Sequence, residues 1–320
     1  MNATAWARRI FLLLPLVFVT FFLILPLAFM LVVSFWKRSM ISMQPAFILA
    51  NYAEFLAGTR LAVLGRSFLV SIEATVISLL IAYPIAYFLA RKARPSSTRV
   101  VLLLFTVPFL VNYIIRTFAW TYLLGRTGPI NAFLMALGIS DGPVDWLLFS
   151  QFAVLVGMVS SYMPFTIFPL WMSIAGVDQR LIEASWMLGA PPARTFLGVT
   201  LPLSLPGIFA AVIFAFVGCF GESAVPVILG GVGYQLIGNE ITSTLDVLNY
   251  PLAAAMSSVV TIAMLILLGL WYMAFDLRAF LGKILRWRLS HGARAFARFA
   301  PACPQGAGPR VSARRLSRWE

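Results

Sequence analysis

Six stretches of this chain are apolar over spanning length, at about residues 10 to 36, 67 to 90, 100 to 124, 147 to 175, 203 to 229 and 252 to 275. Each meets or exceeds the ~20 residues an α-helix needs to cross ~30 Å of hydrocarbon. Inside lipid no water satisfies backbone polar groups, so each stretch must close its own hydrogen bonds as a helix. The expected fold is an all-α integral membrane protein with six transmembrane helices. Composition agrees, since 61% of the 320 residues are hydrophobic and 11% are charged, against ~45–50% apolar in soluble domains.

A net charge of +13 can signal nucleic acid, but its distribution points to membrane topology instead. With the N-terminus in the cytoplasm, eighteen Lys and Arg fall on the inner side, ten of them in the tail. Five (Lys37, Arg38, Arg60, Arg66, Arg126) fall outside, and Arg116 lies within a span. The positive-inside rule then places both termini in the cytoplasm. Arg8-Arg9 before Ile10 has a signal-peptide start, but the apolar run is too long and lacks a small-residue cleavage site, so a retained first span is expected.

The residues exclude most chemistry. The three lysines, Lys37, Lys92 and Lys283, sit in no phosphate-cradling G-x-x-x-x-G-K-[ST] motif. His291 is the sole histidine, which removes a Ser/His/Asp triad and a multi-histidine metal site. Cys219 and Cys303 suggest neither a disulfide framework nor a metal knuckle. No catalytic residue, metal ligand or bound cofactor is expected. Energy for active transport would have to come from another subunit.

Along the chain, Asn51-Tyr52 and Phe55-Leu56 suggest a short helix on the membrane surface, and Arg91-Lys92-Ala93-Arg94 reads as an anchor at anionic lipid headgroups. Gly128-Pro129-Ile130-Asn131 and Gly138 are turn signals. The basic segment from Leu277 reads first as a surface-bound amphipathic helix and then as a Pro-, Gly- and Ala-rich disordered tail.

Between the fourth and fifth spans lies the least greasy interior segment, 178–202, which carries Asp178, Arg180, Glu183 and Arg194. Asp178 can cap a helix through Leu188, Gly189 can end it in a left-handed conformation, and Pro191-Pro192 interrupt it before a second amphipathic turn, Ala193 to Val199. Ala184 and Ser185 leave a small-residue face for another protein, and Glu183 offers a charge to a basic partner. Physics alone leaves an ordinary helical hairpin open.

The spacing adds to this. Glu183-Ala184-Ser185, three residues, Gly189, nine residues, Val199, one residue, Leu201-Pro202 resembles the EAA loop of bacterial ABC importer permeases, with Ser185 for Ala and Val199 for Ile. From about residue 67 to 275 the chain resembles the spermidine/putrescine subfamily of these permeases. Arg116-Thr117-Phe118-Ala119-Trp120, Gly128-Pro129-Ile130-Asn131, Met163-Pro164-Phe165, Leu201 to Gly207, Phe220-Gly221-Glu222 to Pro226, Leu229-Gly230-Gly231 and Ile237 to Ile241 carry that likeness.

The resemblance implies a type I ABC importer permease fold in the bacterial inner membrane. It implies pairing with a second permease, a cytoplasmic ATPase dimer that binds the ATP, and an external solute-binding protein. Glu183, Ala184, Ser185 and Gly189 would form the coupling helix, and Leu201-Pro202 would set the start of span five. The division expected is 1–66 (first span and outer loop), 67–275 (permease core) and 276–320 (basic cytoplasmic tail). Relatives that carry opines, aminoethylphosphonate and other small solutes leave the cargo open. A stand-alone channel or secondary transporter is the rival class, yet neither needs an EAA-like loop.

Three ionisable residues fall inside spans, where an unpaired charge facing lipid costs ~2.5 to 3.5 kcal/mol or more. Counted from the span ends, Glu73, Arg116 and Glu222 share a layer about 9 to 12 Å below the outer surface. One Arg against two Glu suits a cationic solute, while a structural cluster that fixes helix packing is the plainer alternative. If Glu73 pairs with Arg116, Glu222 is left facing the pathway, with Phe220, Gly221 and Trp120 supplying room and aromatic surface for an ammonium group.

Overall fold

The longest helix sets the scale of the molecule. In the computed structural model, which describes residues 13, 15–39 and 42–274, the helix α3 (Arg60–Arg91) runs 32 residues, or about 48 Å at 1.5 Å per residue, well beyond the ~30 Å hydrocarbon core. It starts seven residues before the apolar run does, and in that extension Leu64 packs against the cluster of Phe55 and Ile237. Ser67, Ser71, Ala74, Thr75, Ser78, Ala82 and Ala86 form its buried face. Small side chains at helical spacing let neighbouring backbones approach closely. Three hydroxyls on this face bond back to carbonyls one turn earlier, Ser67 to Val63, Ser71 to Ser67 and Thr75 to Ser71.

Two helices pack on α3: α7 (Gln151–Ala175), capped by the Ser150 side chain on the N–H of Ala153, and α9 (Pro192–Phe220). Gly207 of α9 lies so close to α7 that a Cβ there would stand 2.3 Å from Ser173 Cβ and 2.6 Å from Pro169 O. Ile167, Leu170 and Ile174 of α7 meet Ala82, Ala86 and Ala211 at the Arg91 end. At the Arg60 end, Val70 and Ala74 meet Val154, Met158 and Leu229. The remaining long helices are α1 (Pro15–Val33), whose side chains are mostly exposed, and α12 (Tyr250–Ala274).

Among the described residues, five helices are long and apolar enough to cross a membrane, and a sixth crossing exists if one bent pair counts as a single span. That pair is the expected third span. Its halves, Pro95–Pro108 and Tyr113–Ala136, meet at 93°, because α4 (Pro95–Leu110) stops at an extended Val111 and Asn112 caps a new helix, α5 (Tyr113–Leu124), by accepting from the N–H of Ile114. The expected fifth span is also broken. α9 ends at Phe220, and a separate helix, α10 (Ala224–Leu229), follows Gly221–Ser223.

Shorter elements gather at the Arg60 end. An antiparallel pair, β1 (Lys37–Ser39) and β2 (Ser42–Gln44), precedes the expected short helix, α2 (Ala50–Ala57), whose Phe55 is fully buried. The turns signalled by Gly128-Pro129 and Gly138 bracket a short helix, α6 (Pro129–Ala136): Gly128 N–H closes on Gly125 O, Pro129 at the first helical position loses no needed N–H, and Gly138 takes φ +68° just past the end. α11 (Ile237–Asp246) docks on α3 where the N–H of Ile237 donates to Ser67 Oγ at 2.7 Å. Arg60 bridges Glu54 and Glu240. Burial pushes the Tyr234 phenol above its ordinary value, and Arg66, stacked 4.2 Å over its ring, draws it back. Residues Met1–Gly269 form one unit and Leu270–Glu320 another, of which the last turn of α12 is described. The expected amphipathic and disordered tail lies outside the described residues.

Candidate functional site

The polar segment folds as its caps dictate. α7 ends at Ala175, the chain turns through Gly176, and Asp178 accepts from the N–H of Arg180 at 2.9 Å to start α8 (Gln179–Met187). Gly189 takes φ +77°, and the N–H groups of Gly189 and Ala190 close the helix end on Trp186 O and Ser185 O. Ile182 turns inward onto Val177 and Val199. Glu183 and Ala184 face out, while Ser185 is half-buried with its hydroxyl 2.6 Å from Thr195 Oγ1.

Two details differ from the sequence reading. The outward surface is set by Trp186, Met187 and Leu188, the last two nearly 90% exposed, rather than by Ser185, which faces its own chain. These large apolar side chains stand in the open on a capped helix end. The second turn and the fifth span are also one continuous helix, since α9 starts at Pro192 and passes Leu201 and Pro202 through a π-turn, Phe196–Thr200. Pro202 has no N–H and would clash with Gly198 O in regular α geometry, and the wider turn before it relieves that conflict.

The second candidate region is a cavity of about 720 Å³ walled by Leu110 to Tyr113, Arg116, Ser161, Tyr162, Phe165, Gly218 and Gly221 to Ser223. Both helix breaks open onto it. Arg116 Nη1 donates to Pro108 O at 2.9 Å across the bend, and its buried Nε meets no acceptor in the described residues. Glu222 is 9% exposed. One of its oxygens accepts from the N–H groups of Ser223, Ala224 and Val225, capping α10, and the other accepts from Tyr162 Oη at 2.9 Å. Tyr162 reaches it because Gly218 is bare; a Cβ there would sit 2.2 Å from the ring.

This geometry corrects the shared charged layer. Glu73 accepts from Gln151 Nε2 at 2.6 Å, eleven positions before Tyr162 on α7, which separates it from Glu222 by about 16 Å along that helix. Glu73 and Arg116 form no ion pair: among the described residues, Arg60 pairs with Glu54 and Glu240, and Arg126 with Asp145. Glu222 is not free, having four donors. Gly221 lines the cavity, but Phe220 is buried against Phe216, Ile237 and Leu252, and Trp120 donates to Ser160 Oγ at 2.9 Å outside the wall. The aromatic surface comes instead from Tyr113, Tyr162 and Phe165. Among the described residues, no group of three or more His, Cys, Asp or Glu could hold a metal ion.

The chain is 36% identical over 256 residues to the spermidine/putrescine transport system permease protein PotB of Escherichia coli K12, covering 78% of this chain and 91% of that one. It is 34% identical over 256 residues to PotB of Haemophilus influenzae, covering 79% and 89%. A bacterial alginate ABC transporter, solved in complex with an alginate-bound periplasmic protein, shares the fold with a TM-score of 0.68 at 14% identity, over 85% of this chain and 94% of the transporter chain. Residues 74–280 match the family model for the binding-protein-dependent transport system inner membrane component. The chain therefore belongs to the family of binding-protein-dependent inner membrane transport permeases, with the ABC importer permease fold.

Proposed function

We propose that this chain is the membrane-spanning subunit of an ATP-driven importer for a polyamine such as spermidine or putrescine. It pairs with a second permease, receives solute from an external binding protein and is driven by a separate ATPase dimer that binds the ATP. Its termini are cytoplasmic, which places α8 on the side of the ATPase. The observation that carries the cargo is the identity to the two PotB proteins over most of both chains. The exposed end of α8 supports the ATPase contact, and the aromatic faces of Tyr113, Tyr162 and Phe165 suit an alkylammonium chain.

One observation favours a second reading. Arg116 places a guanidinium in the cavity wall, which suits a solute with an acidic group, such as an opine or aminoethylphosphonate. The test is uptake by cells that rely on this importer. Labelled spermidine should accumulate and excess putrescine should compete. Accumulation of an acidic solute with no polyamine uptake would replace the first reading by the second.

A further inference from the structure

Arg91 is the last residue of α3 and the first of the basic run read from sequence as a headgroup anchor. The fold separates it from that run. Its Nη2 donates to Ile174 O at 2.7 Å and to Val177 O at 2.8 Å, and its Nη1 lies 3.4 Å from Gln179 Oε1. Ile174 belongs to the last turn of α7, Val177 precedes the cap of α8, and Gln179 is the first residue of α8. One side chain thus straddles the turn that joins α7 to α8, while its backbone belongs to α3. A cation is favoured at a helix C-terminus, and a planar guanidinium can meet several acceptors where an ammonium offers a single point. Ile174 is fully buried and Val177 is 6% exposed, and the Ile174 carbonyl takes the Arg91 guanidinium beside the N–H of Val177 at 3.2 Å.

We propose that Arg91 is a positioning residue for energy coupling: it ties α8 to α3, so that a displacement of α8 by the ATPase moves α3 and α7 together. The proposal rests on the reading of α8 as the ATPase contact. The tie is separate from the apolar one, Ile182 on Val177 and Val199, that joins α8 to α9.

The experiment reconstitutes the complete transporter in vesicles with its binding protein. Solute accumulated per phosphate released is compared for wild type, Arg91→Gln, Arg91→Lys and the exposed neighbour Lys92→Gln. Arg91→Gln should keep its ATPase through purification and still hydrolyse ATP, while solute moved per ATP falls at least fivefold. Arg91→Lys should fall between it and wild type, and Lys92→Gln should match wild type. If Arg91→Gln does not accumulate in the membrane, Arg91→Lys decides on the same ratio. An unchanged ratio overturns the proposal, as does loss of the ATPase on purification, which would make Arg91 a docking residue. Glu183→Arg, assayed in parallel, separates the two readings. Normal transport by that variant removes the ATPase contact of α8, and Arg91's role with it; a failed Glu183→Arg beside a normal Arg91→Gln removes Arg91's role alone.

Discussion

Glu222, expected from sequence to stand free, shows how fully a single carboxylate can be engaged. An acid inside an apolar run marks a pathway, and it does stand in the cavity wall, but its oxygens are engaged by Tyr162 and by the start of α10. Glu222→Ala strands four donors and should destabilise the detergent-purified protein by about 3 kcal/mol, whereas Tyr162→Phe removes one bond to a charged group and should cost about 1 to 2 kcal/mol. Thermal denaturation of both variants checks the order. Gly218→Ala should lower the melting temperature by driving the Tyr162 ring off Glu222, while Gly221→Ala should be tolerated, because its Cβ would meet nothing nearer than Val217 O at 3.6 Å. Equal effects of the two alanines would remove Gly218 from this arrangement. The cap was legible in principle: Glu222-Ser223 ahead of Pro226 is a helix start, since a proline is harmless in a first turn. The apolar length of 203 to 229 concealed it, and Tyr162, sixty residues away, gave no local signal.

At the scale of elements, caps were readable and continuity was not. Asp178 and Gly189 bound α8 where local chemistry required, and Pro191-Pro192 do break the chain, but Pro192 then opens α9 rather than a separate turn. The π-turn before Pro202 depends on how α9 packs, which hydropathy does not record. The 93° bend at Val111–Asn112 was hidden similarly, since Pro108 and Asn112 inside an apolar run fit a kinked span as well as a broken one. Glu183→Arg should leave the protein inserted and α8 folded, because the Glu183 side chain is exposed and, among the described residues, makes no hydrogen bond or ion pair. It should nonetheless weaken ATPase retention and abolish uptake. Retention of the ATPase on purification, with uptake measured beside it, checks both halves, and normal uptake would remove α8 from coupling.

For the whole molecule, hydropathy identified the membrane class and the number of apolar runs, because burial in lipid demands little beyond length. The docked elements at the Arg60 end depend on long-range pairs such as Ser67 with Ile237 and Arg60 with Glu240, for which no periodicity exists. Deleting the chain after Ser290 should leave uptake within twofold of wild type, since that composition cannot bury a core; loss of uptake at normal membrane levels would give the tail a function. The bare surface of Gly207 has a larger consequence. With Ser173 and Pro169 seated against it, α7 and α9 mesh like gear teeth, and neither can slide along the other without collision. Compliance must then reside where the helices are interrupted, at Leu110–Tyr113 and Gly221–Ser223, the two borders of the cavity. Amide hydrogen exchange should be faster there than along Phe165–Ala175. Such a molecule changes the volume it encloses by flexing its seams while its frame keeps its shape.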